Sequence, residues 1–224
     1  MKGTILARGG GFDHTGDQVW SFVRIVKKYT GKEHPNFLLV PTCAFDQVNR
    51  GTLNTYHKLG CSVDTLLLTA DWMTPEIIAR KLRNADIIDV PGGNLKFMME
   101  VWERTGADVL IREAYERGAV CTGSSAGGMV WFAQGFDNCG PDDSKLFTHG
   151  LGLIPLAMCP HYDEADWKCF DDRVSEGGIS AVALENGAAY CVEPDGSVYI
   201  LRATGTNRAY FYDADKGYAR TMMN

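Results

Sequence analysis

The sequence predicts an α/β protein: a three-layer α/β/α sandwich with a mostly parallel central sheet, followed by antiparallel C-terminal hairpins. Three observations lead to this prediction. Short apolar runs of β type alternate with amphipathic helical periodicities as far as residue 132, glycine or proline marks most of the junctions, and the pattern changes past residue 180. Repeated βα units place parallel strands in the middle and helices on both faces, because crossovers are right-handed and each helix must bury its apolar stripe.

In the first half of the chain, the strands and helices are predicted from the spacing of apolar residues and from the residues at their ends. The predicted strands are 3–8, 37–40, 62–68, 86–90 and the strand that ends near residue 124. The first helix, ending near Gly31, is predicted by the helical spacing of Val19, Phe22, Val23 and Val26. A second helix is expected over about 46–59, and a third begins where Thr74 can cap and Pro75 fits the first turn. Two more helices, around Trp102 and Ile111, precede Gly118.

The chain past residue 180 is expected to form antiparallel hairpins over about 181–213. The predicted strands are 181–184, 188–192, 197–201 and 208–212. The turns between them are an Asn186-Gly187 pair and a Pro194-Asp195-Gly196 stretch, which are typical of tight reversals. We expect residues 1–224 to form a single domain, since no linker, internal repeat or low-complexity tract divides the sequence.

Composition narrows the partner. The chain has 224 residues, 45% of them hydrophobic, and a formal net charge of −6, which argues against nucleic-acid or anionic-membrane binding. Without an apolar run of 18 residues or an N-terminal apolar leader, we expect a cytoplasmic protein that acts on a small molecule or peptide. The seven cysteines are scattered and are expected to be reduced thiols. The sequence does not decide whether the protein forms a homo-oligomer.

The most informative stretch is residues 119–132, where a β-type run breaks at Gly123-Ser124-Ser125-Ala126-Gly127 and resumes as an apolar helix. Such a G-x-S-x-G turn between strand and helix is typical of a nucleophile elbow, in which glycines relieve clashes in a tight bend. We therefore predict Ser125 as the nucleophile. The next amide, that of Ala126, would lie at a helix N-terminus and is predicted to stabilise an oxyanion.

A serine nucleophile needs a base. His161 follows Met158-Cys-Pro at the predicted carboxyl end of a strand, the edge where reactive groups gather in open α/β sheets. We predict His161 as the general base, with His149 as the alternative. No metal or cofactor is expected, although Asp163, Glu164 and Asp166 close behind His161 leave a divalent-ion site as an open alternative.

Together these residues resemble the peptidase E family of serine peptidases, which includes aspartyl dipeptidase and cyanophycinase. The resemblance rests on Gly92-Gly93-Asn94 after a strand, the Ser125 elbow about thirty residues later, a Pro-His161 pair and an acidic residue near 185, over roughly residues 36–195. It implies the fold of class I glutamine amidotransferases. It also implies that Glu185 orients His161 and that the Gly93 amide joins that of Ala126 in the oxyanion hole.

Two choices stay open within this resemblance. Asp137 competes with Glu185 for the third position of the triad; we prefer Glu185 because 63 residues follow His161, which does not suit the chain order Ser-Asp-His of an α/β-hydrolase. The second choice concerns substrate binding, which is assigned to Asn94 and to Arg173 on a predicted helix over 163–176 that buries Trp167, Phe170 and Val174. The alternative for Arg173 is a salt bridge with its neighbours Asp171 and Asp172.

The expected activity is serine-type hydrolysis of small peptides, as a dipeptidase or exopeptidase, through an acyl-enzyme. A carboxylesterase would use the same triad, and an inactive relative would be a binding module. The Gly9-Gly10-Gly11 turn is not a dinucleotide fingerprint, because His14 stands where a further glycine is required. We expect this turn to shape the rim of the cleft.

Overall fold

The structure, a computed structural model, describes residues 2–11 and 17–224, and its side chains are described on either side of a gap from 12 to 20. His14 and the side chain of Val19, both used in the sequence analysis, lie outside the described residues. The strands are β1 (Ile5–Arg8), β2 (Asn36–Leu39), β3 (Ser62–Thr65), β4 (Ile87–Val90), β5 (Val120–Ser124), β6 (Phe132–Asp137), β7 (Leu146–His149), β8 (Ile154–Cys159), β9 (Ala181–Leu184), β10 (Ala188–Val192), β11 (Val198–Arg202), β12 (Ala209–Asp213) and β13 (Ala219–Met222).

The α-helices lie mostly in the first half of the chain. They are α1 (Asp17–Tyr29), α2 (Arg50–Lys58), α3 (Pro75–Asn84), α4 (Leu95–Thr105), α5 (Ala107–Glu116), α6 (Ala126–Met129) and α7 (Phe170–Arg173). The predicted start of α3 is confirmed: the Thr74 hydroxyl accepts a hydrogen bond from the amide of Ile77, and Pro75 is the first helical residue. By contrast, α2 begins at Arg50 rather than near Asp46, because Asn49 caps it by accepting from the amides of Gly51 and Thr52.

A seven-stranded sheet forms the centre of the molecule, in the order β11-β10-β1-β5-β4-β2-β3. The five strands from β1 to β3 in this order run parallel, and β10 and β11 add an antiparallel edge. Apolar residues of α1 and α2 pack on one face, among them Phe22, Val26 and Tyr56. Residues of α3, α4 and α5 pack on the other face, among them Ile78 and Trp102. The predicted three-layer α/β/α sandwich is confirmed.

A second, six-stranded sheet follows in the order β13-β12-β9-β8-β6-β7. The strands β6, β8 and β9 of this sheet are parallel. One aromatic core links it to the short α7: Phe136, Phe170 and Tyr212 are buried together. The single helix predicted over 163–176 is instead two 3-10 turns around α7, yet Trp167 and Val174 are buried as expected.

The C-terminal hairpins are partly as predicted. The strands β10 and β11 form an antiparallel hairpin as predicted. The strand β12 forms a hairpin with β13, a strand that was not predicted from the sequence. The predicted hairpin around Asn186-Gly187 is wrong, because β9 pairs with β8 and β12 in one sheet whereas β10 pairs with β1 in the other. This turn therefore carries the chain between the sheets and brings residue 186 to the strand ends of the central sheet. Across the described ranges, 2–11 and 17–224, no helix has both the length and the apolar character needed to cross a bilayer.

Candidate active site

Ser125 lies in a strained turn between β5 and α6. Its backbone angles, φ 56° and ψ −120°, are ones that non-glycine residues rarely adopt. The turn packs against β4 so tightly that glycine is required on both sides of the serine. A Cβ at Gly123 would lie 2.1 Å from the carbonyl oxygen of Gly127, and a Cβ at Gly127 would lie 1.9 Å from that of Val90. The G-x-S-x-G pattern thus follows from close packing of the backbone.

The end of β1 holds both the serine and the histidine. The carbonyl oxygen of Arg8 accepts from the amide of Ser125 at 3.1 Å, and that of Gly9 accepts from the amide of His161 at 3.0 Å. His161 also has a positive φ, 49°, just beyond the end of β8. Two adjacent carbonyl groups therefore fix the backbones of two residues that are 36 positions apart.

Ser125 and His161 are in hydrogen-bond contact. Their Oγ and Nε2 atoms are 2.9 Å apart. The imidazole is partly buried, with 22% of its side chain exposed, and its ring centroid lies 5.5 Å from that of Trp167. This is the geometry in which a histidine can remove the proton of a serine hydroxyl.

The other ring nitrogen of the histidine faces Asn186. The distance from His161 Nδ1 to Asn186 Oδ1 is 2.9 Å. The amide nitrogen of Asn186 donates to two carboxylates, Asp163 at 3.1 Å and Glu164 at 2.9 Å. Because carboxylates accept and do not donate, these contacts turn Oδ1 towards the imidazole. Neutral His161 then carries its proton on Nδ1, and Nε2 is free to accept from the serine.

A carboxylate also approaches the imidazole directly. Oε1 of Glu164 lies 3.3 Å from Nδ1 of His161. Gly10 makes room for this group of side chains: a Cβ there would lie 1.8 Å from Asn186 Oδ1 and 2.7 Å from His161 Nδ1. The glycine turn was expected to shape the cleft rim, and Gly11 does line the cleft.

Glu185 does not contact the imidazole, so the expectation that it orients His161 has to be corrected. Its Oε2 accepts from the backbone amide of Arg208 at 2.8 Å, which ties it to the start of β12. Successive residues of an extended turn point in different directions, and here residue 186 faces the histidine. The contact with His161 is made by an amide and not by a carboxylate. A sequence search for an acidic third residue therefore missed Asn186.

The two alternatives raised from sequence are placed elsewhere. Asp137 is buried, and its carboxylate accepts from the amides of Leu95 at 2.9 Å and Asn138 at 3.0 Å. Burial raises the pKa of this carboxyl. Its contacts are those of a cap on α4. The other alternative, His149, is exposed and pairs with Glu103 at 2.7 Å.

Two backbone amides remain available beside the serine. Ala126 is the first residue of α6, and Gly93 has a φ of 152° in the loop after β4. Among the described residues, neither amide nitrogen donates a hydrogen bond. A Cβ at Gly93 would lie 2.1 Å from the carbonyl oxygen of Cys43, so this loop also packs too closely for a side chain.

The two predicted substrate-binding side chains have other partners. Asn94 caps α4 by accepting from the amide of Phe97 at 2.8 Å. Arg173 pairs with Glu176 at 2.7 Å, donates to the carbonyl oxygen of Lys145 at 2.7 Å, and lies over the ring of Phe136. Neither side chain lines the cleft at Ser125. Local pairing and capping satisfy both groups, and the expectation that they bind substrate stays a prediction.

The cleft beside Ser125 has a volume of about 770 Å³ and lies between the strand ends and α1 and α2. Sequence reasoning missed its two charged wall residues, Arg8 and Asp89. The sequence feature that could have revealed Asp89 is an aspartate inside the otherwise apolar strand Ile-Ile-Asp-Val. Burial raises the pKa of Asp89 to about 6, against an opposing effect of the Arg8 guanidinium.

No metal-binding cluster is formed by the histidine, cysteine and acidic side chains in the described part of the chain. Asp163 and Glu164, which the sequence left open as ion ligands, both accept hydrogen bonds from the side chain of Asn186. The expectation that no metal or cofactor is required stays a prediction.

An elbow serine facing a histidine at the strand ends of an α/β sheet is an arrangement that hydrolases use. Comparison of the sequence with known families gives the particular group: residues 5–199 match peptidase family S51. This chain belongs to peptidase family S51, so the protein is a peptidase, and hence a hydrolase. The resemblance to peptidase E proteins is confirmed.

Individual relatives agree with this assignment. The chain is 31% identical over 195 residues to the uncharacterized peptidase YgaJ of Bacillus subtilis, a match that covers 84% of this chain and 82% of that protein. It is 33% identical over 125 residues to the uncharacterized peptidase Lin0382 of Listeria innocua, which covers 53% of this chain and 58% of that protein.

Solved structures share the fold. A peptidase from an acI-B1 Actinobacterium superposes with a TM-score of 0.76 and 15% identity, covering 100% of this chain and 95% of that one. A putative peptidase E protein from Listeria monocytogenes EGD-e gives a TM-score of 0.67 and 20% identity, covering 90% of this chain and 99% of that one. These likenesses establish the α/β fold alone.

Proposed function

We propose that this peptidase is a serine peptidase that hydrolyses short peptides, as a dipeptidase or exopeptidase, with Ser125 as nucleophile and His161 as general base. The observation that carries the proposal is the 2.9 Å contact between Ser125 Oγ and His161 Nε2 on a strained strand-to-helix turn. The cleft beside it, about 770 Å³, falls within the range of roughly 300–1,000 Å³ common for small-ligand sites. That size favours a peptide of a few residues.

In the acylation step, His161 Nε2 takes the hydroxyl proton while Oγ of Ser125 bonds to the carbonyl carbon of the scissile amide. The negative charge that develops on the carbonyl oxygen is stabilised by the free amides of Gly93 and Ala126, each contributing about 3 kcal/mol in comparable sites. The carbon–nitrogen bond then breaks, and the histidine proton passes to the leaving amine. Water attacks the acyl-enzyme by the same route in reverse, releasing the acid and restoring the serine.

Asn186 takes the third position of the site in this proposal. Its Oδ1 accepts from Nδ1 of His161, which fixes the tautomer and the ring orientation that the base needs. An amide carries no charge, so the positive imidazolium formed during the reaction is stabilised by the nearby carboxylate of Glu164, 3.3 Å from Nδ1. Asn186 and Glu164 are positioning residues, since they act through the histidine.

The proposal is tested by product analysis on a library of dipeptides with varied first and second residues, together with ester substrates. Ser125→Ala should lower turnover by about 10³-fold or more while leaving the fold intact, because it removes one oxygen atom from a turn set by its backbone. Hydrolysis of esters but of no peptide would favour a carboxylesterase. Peptide hydrolysis retained by the Ser125→Ala variant would remove Ser125 from the mechanism.

Location and assembly are proposed on sequence grounds only. The net charge of −6 supports a small-molecule or peptide partner and no nucleic acid or membrane partner. We place the protein in the cytoplasm, where its seven cysteines, all unpaired in the structure, would stay reduced. Cell fractionation and light scattering would test the location and whether the protein forms a homo-oligomer.

A further inference from the structure

The cleft beside Ser125 contains an unusual charge pair. Arg8, at the end of β1, and Asp89, within β4, flank β5 from both sides, and both line the cleft together with Ser125 and His161. Nη2 of Arg8 lies 3.5 Å from Oδ1 of Asp89. Nε of Arg8 also donates a hydrogen bond to the carbonyl oxygen of Gly123 at 3.3 Å.

The carboxylate of this pair is short of hydrogen-bond donors. Asp89 is only 3% exposed, and its Oδ1 accepts no hydrogen bond from any described residue. A buried acceptor without a donor costs free energy that a bound ligand can recover. Oδ1 itself has no accessible surface, so the part of the carboxylate that reaches the wall of the cleft is Oδ2, which also accepts no hydrogen bond from a described residue and can accept an N–H group of a bound peptide.

Two other polar side chains of the cleft bond to the backbone of α2. Oδ1 of Asn49 accepts from two amides of α2, and the hydroxyl of Thr55 donates to the carbonyl oxygen of Gly51. Among the described residues that line the cleft, Arg8 and Asp89 are the only arginine, lysine, aspartate or glutamate side chains. Phe22 and Tyr56 also line the cleft, and the ring of Phe22 stacks on the Arg8 guanidinium, with its centroid 4.6 Å from Cζ.

We infer that the Arg8–Asp89 pair selects peptides whose residue in this cleft carries a carboxamide side chain, asparagine or glutamine. The inference rests on the proposed function and adds its substrate class. The pair places a donor, the Arg8 guanidinium, beside an acceptor, the Asp89 carboxylate, on one wall of the cleft. A carboxamide presents the complementary acceptor and donor on one carbon, its oxygen towards Arg8 and its nitrogen towards Asp89.

Charged and apolar side chains fit this wall less well. A glutamate or aspartate side chain would gain Arg8 but place a second carboxylate against Asp89, and a lysine side chain would face Arg8. Like charges brought together in a desolvated site oppose binding. An apolar side chain would leave the Asp89 carboxylate without a hydrogen-bond donor, and sites with an unpaired buried polar group discriminate most strongly.

The experiment measures kcat/KM for dipeptides in which glutamine, asparagine, glutamate, aspartate, lysine or leucine is paired with alanine, in either order. The wild-type protein should prefer glutamine over glutamate by at least about tenfold. Asp89→Asn should lower this ratio by about tenfold or more, because Arg8 then lacks its counter-charge. The matched control is Asp64→Asn. Asp64 lies on β3, at the far edge of the same sheet, and its carboxylate pairs with Lys81 of α3. This variant should keep the wild-type ratio.

Binding to the Ser125→Ala variant, measured by calorimetry with the same dipeptides, separates this inference from the proposed function. Preferential binding of the carboxamide peptides without hydrolysis by the wild-type protein would overturn the proposed function and support the pair's role. Peptide hydrolysis in which glutamate equals or exceeds glutamine would overturn the inference, whether or not Asp89→Asn folds. An unchanged ratio in a folded Asp89→Asn variant would overturn it as well.

Discussion

Replacement of Asn186 by alanine tests how the histidine is held. The substitution removes the oxygen that accepts from His161 Nδ1 at 2.9 Å. A hydrogen bond to a charged group contributes about 1.5–3 kcal/mol, and the imidazole is charged while it carries the serine proton. Since each 1.36 kcal/mol is tenfold in rate, Asn186→Ala should lower kcat by about 10- to 150-fold. Glu164, 3.3 Å from the same nitrogen, should hold the loss towards the lower end.

An aspartate at the same position should not restore activity, although it resembles a more familiar triad. The Asn186 side-chain nitrogen donates to Asp163 and Glu164, at 3.1 and 2.9 Å. Asn186→Asp would exchange both hydrogen bonds for repulsion among three carboxylates. We therefore expect a kcat no higher than that of Asn186→Ala and a lower melting temperature.

The assay combines kcat on the best dipeptide with the rate of labelling by a fluorophosphonate, which reports activation of the serine without a peptide. Both should fall together in Asn186→Ala. The control is Glu185→Gln, which alters the acid that sequence alone favoured; because its carboxylate bonds to the amide of Arg208, kcat should fall less than about threefold. An Asn186→Ala rate within twofold of wild type, or a Glu185→Gln loss as large, would refute the reasoning.

Three further predictions concern stability, packing and metal. Burial raises the pKa of Asp89 to about 6 from an ordinary value of 3.8, so ionisation of this residue opposes folding. In urea unfolding, Asp89→Asn should have the same free energy of unfolding as wild type near pH 4 and a value up to roughly 3 kcal/mol higher at pH 7. A difference that does not change with pH would contradict the shift. Gly10→Ala should lower kcat at least about tenfold with little change in KM, because its Cβ would overlap Asn186 Oδ1; full activity would show that the contact is dispensable. Dialysis against EDTA should leave activity unchanged, and a loss reversed only by added metal would make His161 a ligand.

The parts of this structure that the sequence predicts are those set by local chemistry. The βα alternation, the Thr74 cap and the elbow around Ser125 follow from residue spacing and turn chemistry, and the structure contains them. The pairing of β9 with β8 is different, because it joins segments whose contact depends on the whole fold. Because of that pairing, the turn at Asn186 connects the two sheets, whereas the sequence predicted a hairpin there.

The same distinction applies to the site. Ser125 and His161 stand at strand ends, and the parallel sheet brings such ends together. Which side chain of a turn then faces the imidazole depends on the direction of one or two residues. On sequence alone, the acid at 185 was chosen and the amide at 186 was not considered. Arg8 and Asp89 are separated by 81 positions and meet only because β1 and β4 both flank β5.

Identification of the labelled residue tests the central claim most directly. The protein is treated with a fluorophosphonate, digested and analysed by peptide mass spectrometry, alongside Ser125→Ala and His161→Ala. We predict a single adduct on Ser125 in the wild-type protein, none in Ser125→Ala, and labelling slowed by at least about 10³-fold in His161→Ala, because the hydroxyl there has no base. An adduct on Ser124, no adduct, or a rate unaffected by His161→Ala would contradict the account.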